Sequence, residues 1–285
     1  MPAPILLTET TDRLRDALGP DLARLTIERV VVGLFFTGVT LAGGATGACA
    51  TPLRSLREAV CCPSSAMAMP FPGKMRGRPA QDLLRLLDEP DGIRRAVGIA
   101  AMNALAAAAW DRVPHPGAAL RAGEDAYDAA AIRPGEHVVV VGAFVPFLKA
   151  LKQAGQRWTV LENDPATLKP DELPHFRPAA EAPAVVPAAD VLLITGTTLI
   201  NDTLPGLLAL ARPAARVVVV GPTVGLLPEV LMAHGADILG GIRVTDPDAF
   251  LDTLAEGGSG YHFFGRSAEK VVLVRTTAKR PALAA

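Results

Sequence analysis

Glu162 is the ionisable residue whose position most clearly suggests a ligand site. It follows a short apolar run, Trp158 to Leu161, and lies twenty residues after Gly142, which follows a Val-rich run. Dinucleotide-binding folds place an acid at this spacing, where it accepts hydrogen bonds from ribose hydroxyls. Glu162 is therefore a candidate to bind a ligand hydroxyl or a cation, and the alternative is a solvated strand end.

Three loops rich in small and hydroxylated residues follow the apolar runs and could complete such a site. Helix N-termini after parallel strands present free N–H groups and partial positive charge, which favour anions. Glycine and threonine would leave these amides accessible, although both are also ordinary loop residues. The candidate residues of these loops are Gly142, Phe144, Pro146, Thr195, Gly196, Thr197, Asn201, Gly221 and Pro222.

The first of these loops argues against a usual NAD site. Its sequence, GAFVPF, has a single glycine in place of GxGxxG, and Phe144 and Pro146 would crowd a pyrophosphate. The loop also lacks the several glycines expected of a methyltransferase that binds S-adenosylmethionine. The sequence thus contains no standard motif for either cofactor.

Cys61 and Cys62 are adjacent thiols, which makes them candidate ligands for a thiophilic metal or one reactive nucleophile. Zinc sites normally space their cysteines by two to four residues, and a free cysteine is often a small buried apolar residue. The histidines are scattered without an i, i+4 pair, so no local zinc motif is present. The role of the two cysteines stays open.

Asn103 is unusual because it lies in an Ala-rich helical segment, 91–112. A buried amide at this position must find hydrogen-bond partners, either on a neighbouring backbone or on a ligand.

The elements that would position these residues form a parallel sheet. From about residue 125 onward, continuous apolar runs alternate with helical segments, as in strands covered on both faces. We expect an α/β, Rossmann-like, doubly wound, mostly parallel sheet with its ligand site at the strand carboxyl ends. The predicted strands are 137–141, 158–161, the starts of VLLITGTTLIND and ARVVVVGPTVG, 236–239 and 271–275; the predicted helices are 146–154, 203–211, 226–234 and 247–255.

The residues before this sheet predict a smaller α+β unit. A capped helix is expected first, then a β-hairpin around the turn Ala42-Gly43-Gly44, then two helices. The chain is long enough for two domains, which we place at 1–120 and 121–285. The predicted segments of the first domain are helix 8–18, hairpin arms 28–41 and 45–52, and helices 79–87 and 91–112.

Charge and hydropathy exclude several classes of partner. The net charge of −1 gives no general positive field for nucleic acid. The longest apolar stretch, 96–110, is shorter than the roughly 20 residues that span a bilayer, and the first residues lack the features of a secretion signal. We expect a cytoplasmic protein that contacts neither membranes nor nucleic acid, and a homodimer because soluble oligomers are most often two-fold.

The order of these motifs resembles the DUF364 family, whose description is heavy-metal chelation, with its DUF4213 N-terminal domain. The resemblance rests on GLFFTGVTLAGGATGACATPL, AVGIAAMNAL, VVVVGAFVPFL, TVLEND, ADVLLITGTTLIND and VVVVGPTVGLLPEVL, and it covers about residues 10 to 275. It implies an α+β domain like the enolase N-terminal domain, packed on a Rossmann-like domain, with a site at their junction.

The resemblance also places residues on the two sides of that junction. Thr46, Gly47 and Asn103 match segments on the N-terminal side, whereas Glu162 and the loop residues named above belong to the C-terminal side. Cys61 and Cys62 lie outside the matching segments, so the resemblance gives them no role.

Three functions remain open from the sequence. The first is a protein that holds a transition or heavy metal ion, or a small metal chelate, with Glu162 and Cys61 or Cys62 as ligands. The second is an enzyme on a small anionic or nucleotide-like substrate, with Glu162 as ribose anchor or general base and Asn201 and Thr197 orienting the substrate. The third is a non-catalytic interaction module.

Overall fold

The computed structural model describes residues 4–53, 69, 71–90 and 92–277. These residues form two β-sheets with helices packed against them, a small three-stranded sheet and a large eight-stranded sheet. Cys61 and Cys62, like the predicted capping residue Asp91, lie outside the described residues. Within the described ranges, no helix combines the length and apolar character needed to cross a membrane.

The small sheet is an antiparallel meander of β1 (Ile27–Val32), β2 (Phe36–Leu41) and β3 (Thr46–Ala50). The prediction of a two-stranded hairpin was wrong, because the segment 28–41 reverses at Gly33 instead of forming one arm. The Gly33 amide donates to the Phe36 carbonyl at 3.0 Å. A Cβ at Gly33 would lie 2.2 Å from the Leu254 carbonyl oxygen, so only glycine fits there. The turn was not predicted because it contains Leu34 and Phe35 instead of the Asn, Asp or Pro that usually mark a turn.

Helices cover one side of the small sheet. They are α1 (Ile5–Leu18), α2 (Ile93–Ala109) and a 3-10 helix, Ala80–Asp88, where an ordinary helix was predicted. Helix α2 crosses β3 at Gly47, where a Cβ would lie 2.1 Å from the Ala104 amide nitrogen. Because this contact is between backbones, α2 is held very close to the small sheet, and its Asn103 contacts a loop of the large sheet.

The large sheet has the strand order β4-β11-β10-β9-β8-β5-β6-β7. From β7 to β10 all neighbours are parallel, which confirms the predicted Rossmann-like α/β fold. The chain leaves β5 toward β6 and leaves β8 toward β9, so the order reverses between β5 and β8. The strands are β4 (Ala118–Ala122), β5 (His137–Val141), β6 (Arg157–Glu162), β7 (Phe176–Pro178), β8 (Val191–Thr195), β9 (Arg216–Val220), β10 (Ile238–Val244) and β11 (Ala268–Arg275).

Two strands of this sheet, β4 and β7, were not predicted. Both are edge strands with partly or fully exposed residues, so they lack the apolar runs that marked the central strands. Strand β11 is antiparallel to both β10 and β4. The remaining helices are α3 (Ala126–Ala129), α4 (Val145–Gln153), α5 (Ala182–Val185), α6 (Leu204–Leu210), α7 (Glu229–Ala233), α8 (Pro247–Ala255) and α9 (Gly260–Phe263).

Both faces of the large sheet are buried. On one face, Val138 and Val140 pack with Phe147 of α4 and Trp158 of β6. The other face belongs to a larger core that also contains the helices of the small sheet. Continuous burial of this kind, at about 25 cal/mol for each Å² of apolar surface, is the main stabilising contribution to the fold. It also fixes the strand ends at which the candidate site lies.

Candidate functional site

The loops after β5, β8 and β9 meet at the point where the strand order reverses. Gly142 has a φ of +93°, and a Cβ there would lie 2.7 Å from Thr195 Cγ2. Gly196 is buried, and its Cβ would lie 3.2 Å from Thr223 Cβ in the third loop. Gly221, in the third loop, has a φ of +134°. Close packing at Gly142 and Gly196, and a positive φ at Gly142 and Gly221, favour glycine at the crevice where open α/β sheets bind ligands.

Glu162 lies at this crevice and is tied to the first loop. Its Oε2 accepts a hydrogen bond of 2.9 Å from the Ala143 amide, and its Oε1 accepts one of 2.7 Å from the Asn163 amide and one of 3.3 Å from the Asp164 amide. The side chain is half-buried. An ionised carboxylate offers about four acceptor positions, so these bonds orient Glu162 and leave acceptor capacity for a ligand.

The amides of Gly142, Ala143 and Phe144 in the first loop are already hydrogen-bonded. Phe144 donates to the Gly142 carbonyl at 2.8 Å, and Phe147 donates to the Phe144 carbonyl at 2.9 Å. Pro146 has no N–H, and the Phe144 ring packs edge-on against Phe147 at 4.4 Å between centroids. With Ala143 donating to Glu162, the loop is closed by internal hydrogen bonds rather than arranged as the open amide cradle that a pyrophosphate uses.

The second loop presents hydroxyl groups. Thr195 Oγ1 accepts from the Thr197 hydroxyl at 3.2 Å, and Thr197 is exposed. Thr198 is buried and donates to the Thr195 carbonyl at 2.7 Å. The exposed Asn201 uses its Oδ1 to accept from the Thr203 hydroxyl at 2.7 Å, so it shapes the following turn. Thr195 and Thr197 are thus the hydroxyls of this loop that a ligand could contact.

The third loop connects the two sheets both by a direct hydrogen bond to β3 and through Asn103 of α2. Thr223, 1% exposed, accepts from the Ala50 amide at 2.9 Å through its hydroxyl oxygen. Asn103 Nδ2 donates to the Thr223 carbonyl at 2.9 Å and to the Ala48 carbonyl at 2.8 Å. Since both acceptors are carbonyls, the orientation of the amide is fixed. Pro222 is half-buried beside this junction.

Thr46 and Gly47, predicted for the N-terminal side of the site, lie within the small sheet. Thr46 is buried, and its hydroxyl bonds with that of Thr40 at 2.8 Å. Gly47 faces the α2 backbone. Of the three residues predicted on this side, Asn103 contacts a loop of the large sheet, whereas Thr46 and Gly47 contact residues of the small sheet and α2.

The described residues offer few metal donors. They contain no group of three or more His, Cys, Asp or Glu side chains placed to hold a metal. Burial raises the pKa of the Cys49 thiol well above its ordinary value, although a hydrogen bond with Thr223 lowers it, so the neutral thiol is favoured at this buried position.

A separate cavity of about 190 Å³ lies at the other end of the parallel strands. Its lining includes His115, Glu229 and Arg275. Arg275 ends β11 next to Val274, the partner of Ile238 at the start of β10, which places the cavity at the amino edge of the sheet. His115 Nδ1 lies 2.6 Å from Glu229 Oε1, so this histidine is engaged far from the loops that surround Glu162.

Arg95, which the sequence analysis did not single out, also reaches the carboxyl edge. It is 5% exposed and donates from Nη1 to the Ile200 carbonyl at 2.9 Å, just beyond the Thr195–Thr198 loop. Helical spacing could have revealed it, because Arg95 lies four and seven residues before the buried Ile99 and Met102.

Comparison with known proteins places the chain in a family. The DUF364 model, described as "Putative heavy-metal chelation", matches residues 125–273, and the DUF4213 model, with the same description, matches residues 15–106. A protein of Methanocaldococcus jannaschii described as uncharacterized is 28% identical over 189 residues, which are 66% of this chain and 69% of the relative.

Two solved structures share the fold. A DUF364 protein of unknown function from Pyrococcus horikoshii has a TM-score of 0.70 at 20% identity, covering 94% of this chain and 98% of its own. Another from Desulfitobacterium hafniense has a TM-score of 0.70 at 21% identity, covering 94% of this chain and all (100%) of its own. At these identities the likeness concerns the fold alone. The match of the family model over residues 125–273, more than half of the chain, establishes that the chain belongs to the DUF364 family.

Proposed function

We propose that this protein binds a small metal chelate at the carboxyl ends of β5, β6 and β8. The observation that carries the proposal is the placement of Glu162, a half-buried carboxylate oriented by three backbone amides beside the Gly142 and Thr195 loops. A carboxylate in this position accepts hydrogen bonds from ligand hydroxyls or contributes one bond to a cation.

The donor set favours a chelate over a bare ion. Heavy and transition metals are held by several thiolate, imidazole or carboxylate ligands, whereas the residues that the structure describes contain no group of three or more His, Cys, Asp or Glu side chains that could hold a metal. In a chelate the organic part supplies most of the metal's ligands. The protein then needs only to recognise the outer surface of the complex, for which Glu162 and the hydroxyls of Thr195 and Thr197 are suited.

A second candidate is an enzyme that acts on a nucleoside-like substrate. Glu162 ends the strand after β5, where Rossmann folds place the acid that binds ribose hydroxyls. The closed first loop supports a ligand without a pyrophosphate, because the amides of Ala143, Phe144 and Phe147 are already bonded. This candidate predicts binding of adenosine in the absence of any metal.

The test measures retained metal by elemental mass spectrometry after incubation with nickel, either as the bare ion or as its citrate chelate. We expect about one nickel per chain from the chelate, little from the bare ion, and loss of retention in Glu162→Gln. Glu256→Gln, an exposed carboxylate at the end of α8, is the matched control and should retain the chelate.

The remaining arms separate the alternatives. Retention of the bare ion that is lost in Cys61→Ser/Cys62→Ser would contradict the chelate proposal and favour a direct thiolate site. Stabilisation by adenosine that is lost in Glu162→Gln, with no metal retained, would favour the second candidate. Equal retention by wild type and Glu162→Gln would remove Glu162 from the site.

A further inference from the structure

Arg95 is a buried cation without an ionic partner among the residues that the structure describes. Its side chain is in the first turn of α2, and the residue is 5% exposed. Among the described residues its one hydrogen-bond acceptor is the Ile200 carbonyl, and its Nε is buried without a partner. No carboxylate of the described ranges lies within 4.0 Å of its guanidinium nitrogens. A guanidinium has five N–H donors, and at least the one on Nε is buried and unused.

The surroundings of Arg95 make this charge more unfavourable. It lies at the N-terminal end of the 17-residue helix α2, where the helix dipole is positive and disfavours cations. Its neighbour Arg94 pairs with Glu89 at 3.2 Å, so that carboxylate is already used, and Arg94 Nε is also buried without a partner. Buried charges in proteins are normally paired. One hydrogen bond to a carbonyl recovers only part of the cost of dehydrating a guanidinium.

We propose that Arg95 binds an oxyanion of the ligand, a carboxylate or a phosphate group. The guanidinium fork matches either group, and the helix N-terminus adds a second favourable interaction with negative charge. Arg95 contacts Ile200, which follows the loop of Thr195 and Thr197. This deepens the proposed function and rests on it: the ligand has hydroxyls or a cation toward Glu162 and an oxyanion toward Arg95.

The test follows the unfolding temperature of the full chain in sodium phosphate, sodium acetate and sodium chloride at matched ionic strength. In about 100 mM phosphate or acetate we expect the wild type to unfold about 5 °C or more above its value in chloride. Arg95→Met should lose this shift and Arg95→Lys should keep only part of it. Arg266→Met, at an exposed arginine, should keep it fully.

Two results would overturn the inference. The first is that the wild type unfolds at no higher temperature in phosphate or acetate than in chloride. This result contradicts the proposal even if Arg95→Met does not fold. The other is an Arg95→Met protein that keeps the full shift. In chloride, Arg95→Met should be at least as stable as the wild type, because an unpaired buried charge is removed; marked destabilisation there would instead indicate a structural role and contradict the proposal.

The failure of this inference is distinguishable from failure of the proposed function. Retention of the nickel chelate with a dependence on Glu162, but without an oxyanion effect, would leave the site in place and remove Arg95 from it. An oxyanion effect that depends on Arg95, without retention of the chelate, would support the anion subsite and contradict the chelate.

Discussion

Asn103→Asp tests the junction between the two sheets. The wild-type amide donates to the buried carbonyls of Ala48 and Thr223 at 2.8 and 2.9 Å. An aspartate carboxylate has no N–H for either carbonyl, and each unsatisfied carbonyl costs about 1–3 kcal/mol. We therefore expect the free energy of unfolding to fall by about 2–6 kcal/mol at pH 8, a large share of the total of a typical domain.

The penalty of Asn103→Asp should also depend on pH. Burial opposite two carbonyls raises the pKa of the introduced carboxyl above its unfolded value of about 3.9. A raised pKa means that stability is greatest below the unfolded value and is lost as the pH rises, since only the protonated acid can donate to one carbonyl. Urea unfolding of variant and wild type should therefore show a larger difference at pH 8 than at pH 5.

Asn201→Asp is the matched control for this substitution. Asn201 uses its Oδ1 to accept a hydrogen bond from Thr203 at 2.7 Å, and an aspartate keeps that acceptor. Its effect should stay within about 0.5 kcal/mol at either pH. The reasoning about Asn103 would be refuted by equal unfolding midpoints for Asn103→Asp and wild type at pH 8, or by the same loss in both variants.

Two further predictions concern the backbone and pH. Gly47→Ala places a Cβ 2.1 Å from the Ala104 nitrogen and should destabilise the protein by about 3 kcal/mol or more. Gly206→Ala, which has open space around it in α6, should stabilise the protein by about 0.5–1 kcal/mol. Urea unfolding midpoints measure both effects, and similar midpoints for the two variants would contradict the close contact between α2 and β3. Burial lowers the pKa of His137 despite a hydrogen bond to Ala188. Stability should thus be full above about pH 6.5 and fall as the pH drops below it. His137→Gln should reduce that loss of stability. Thermal unfolding of both proteins at pH 5 and pH 7.5 measures it, and an equal loss in the variant and the wild type would contradict the prediction.

The central strands of the large sheet could be predicted because their apolar runs are continuous. The runs around Val139 and Val218 are buried on both faces, and each is followed by a helix. Strands β4 and β7 and the turn at Gly33 depend on tertiary contacts, so no local pattern signals them. The likeness of the first domain to the enolase N-terminal domain stays a prediction.

The candidate site was less predictable than the fold. The spacing between Gly142 and Glu162 indicated a shared edge, but it could not show that the Ala143 amide binds the carboxylate. Asn103 was recognised as a polar residue in an apolar helix, and a backbone partner was one of its two expected outcomes. Arg95 was not predicted because two adjacent arginines near the start of a helix are usually exposed to solvent. Burial of one of them depends on how α2 meets the loop at Ile200.

Strand β4 has a consequence for any fragment of this chain. It precedes the Rossmann-like motif, yet residues 118–122 pair with β11 at the edge of the large sheet. The proposed domain boundary between residues 120 and 121 passes through this strand. A fragment that starts at residue 121 would leave the backbone groups of β11 open along one side, and such an edge can pair with other chains and aggregate. A fragment that starts at Pro114 keeps β4 as the covering strand.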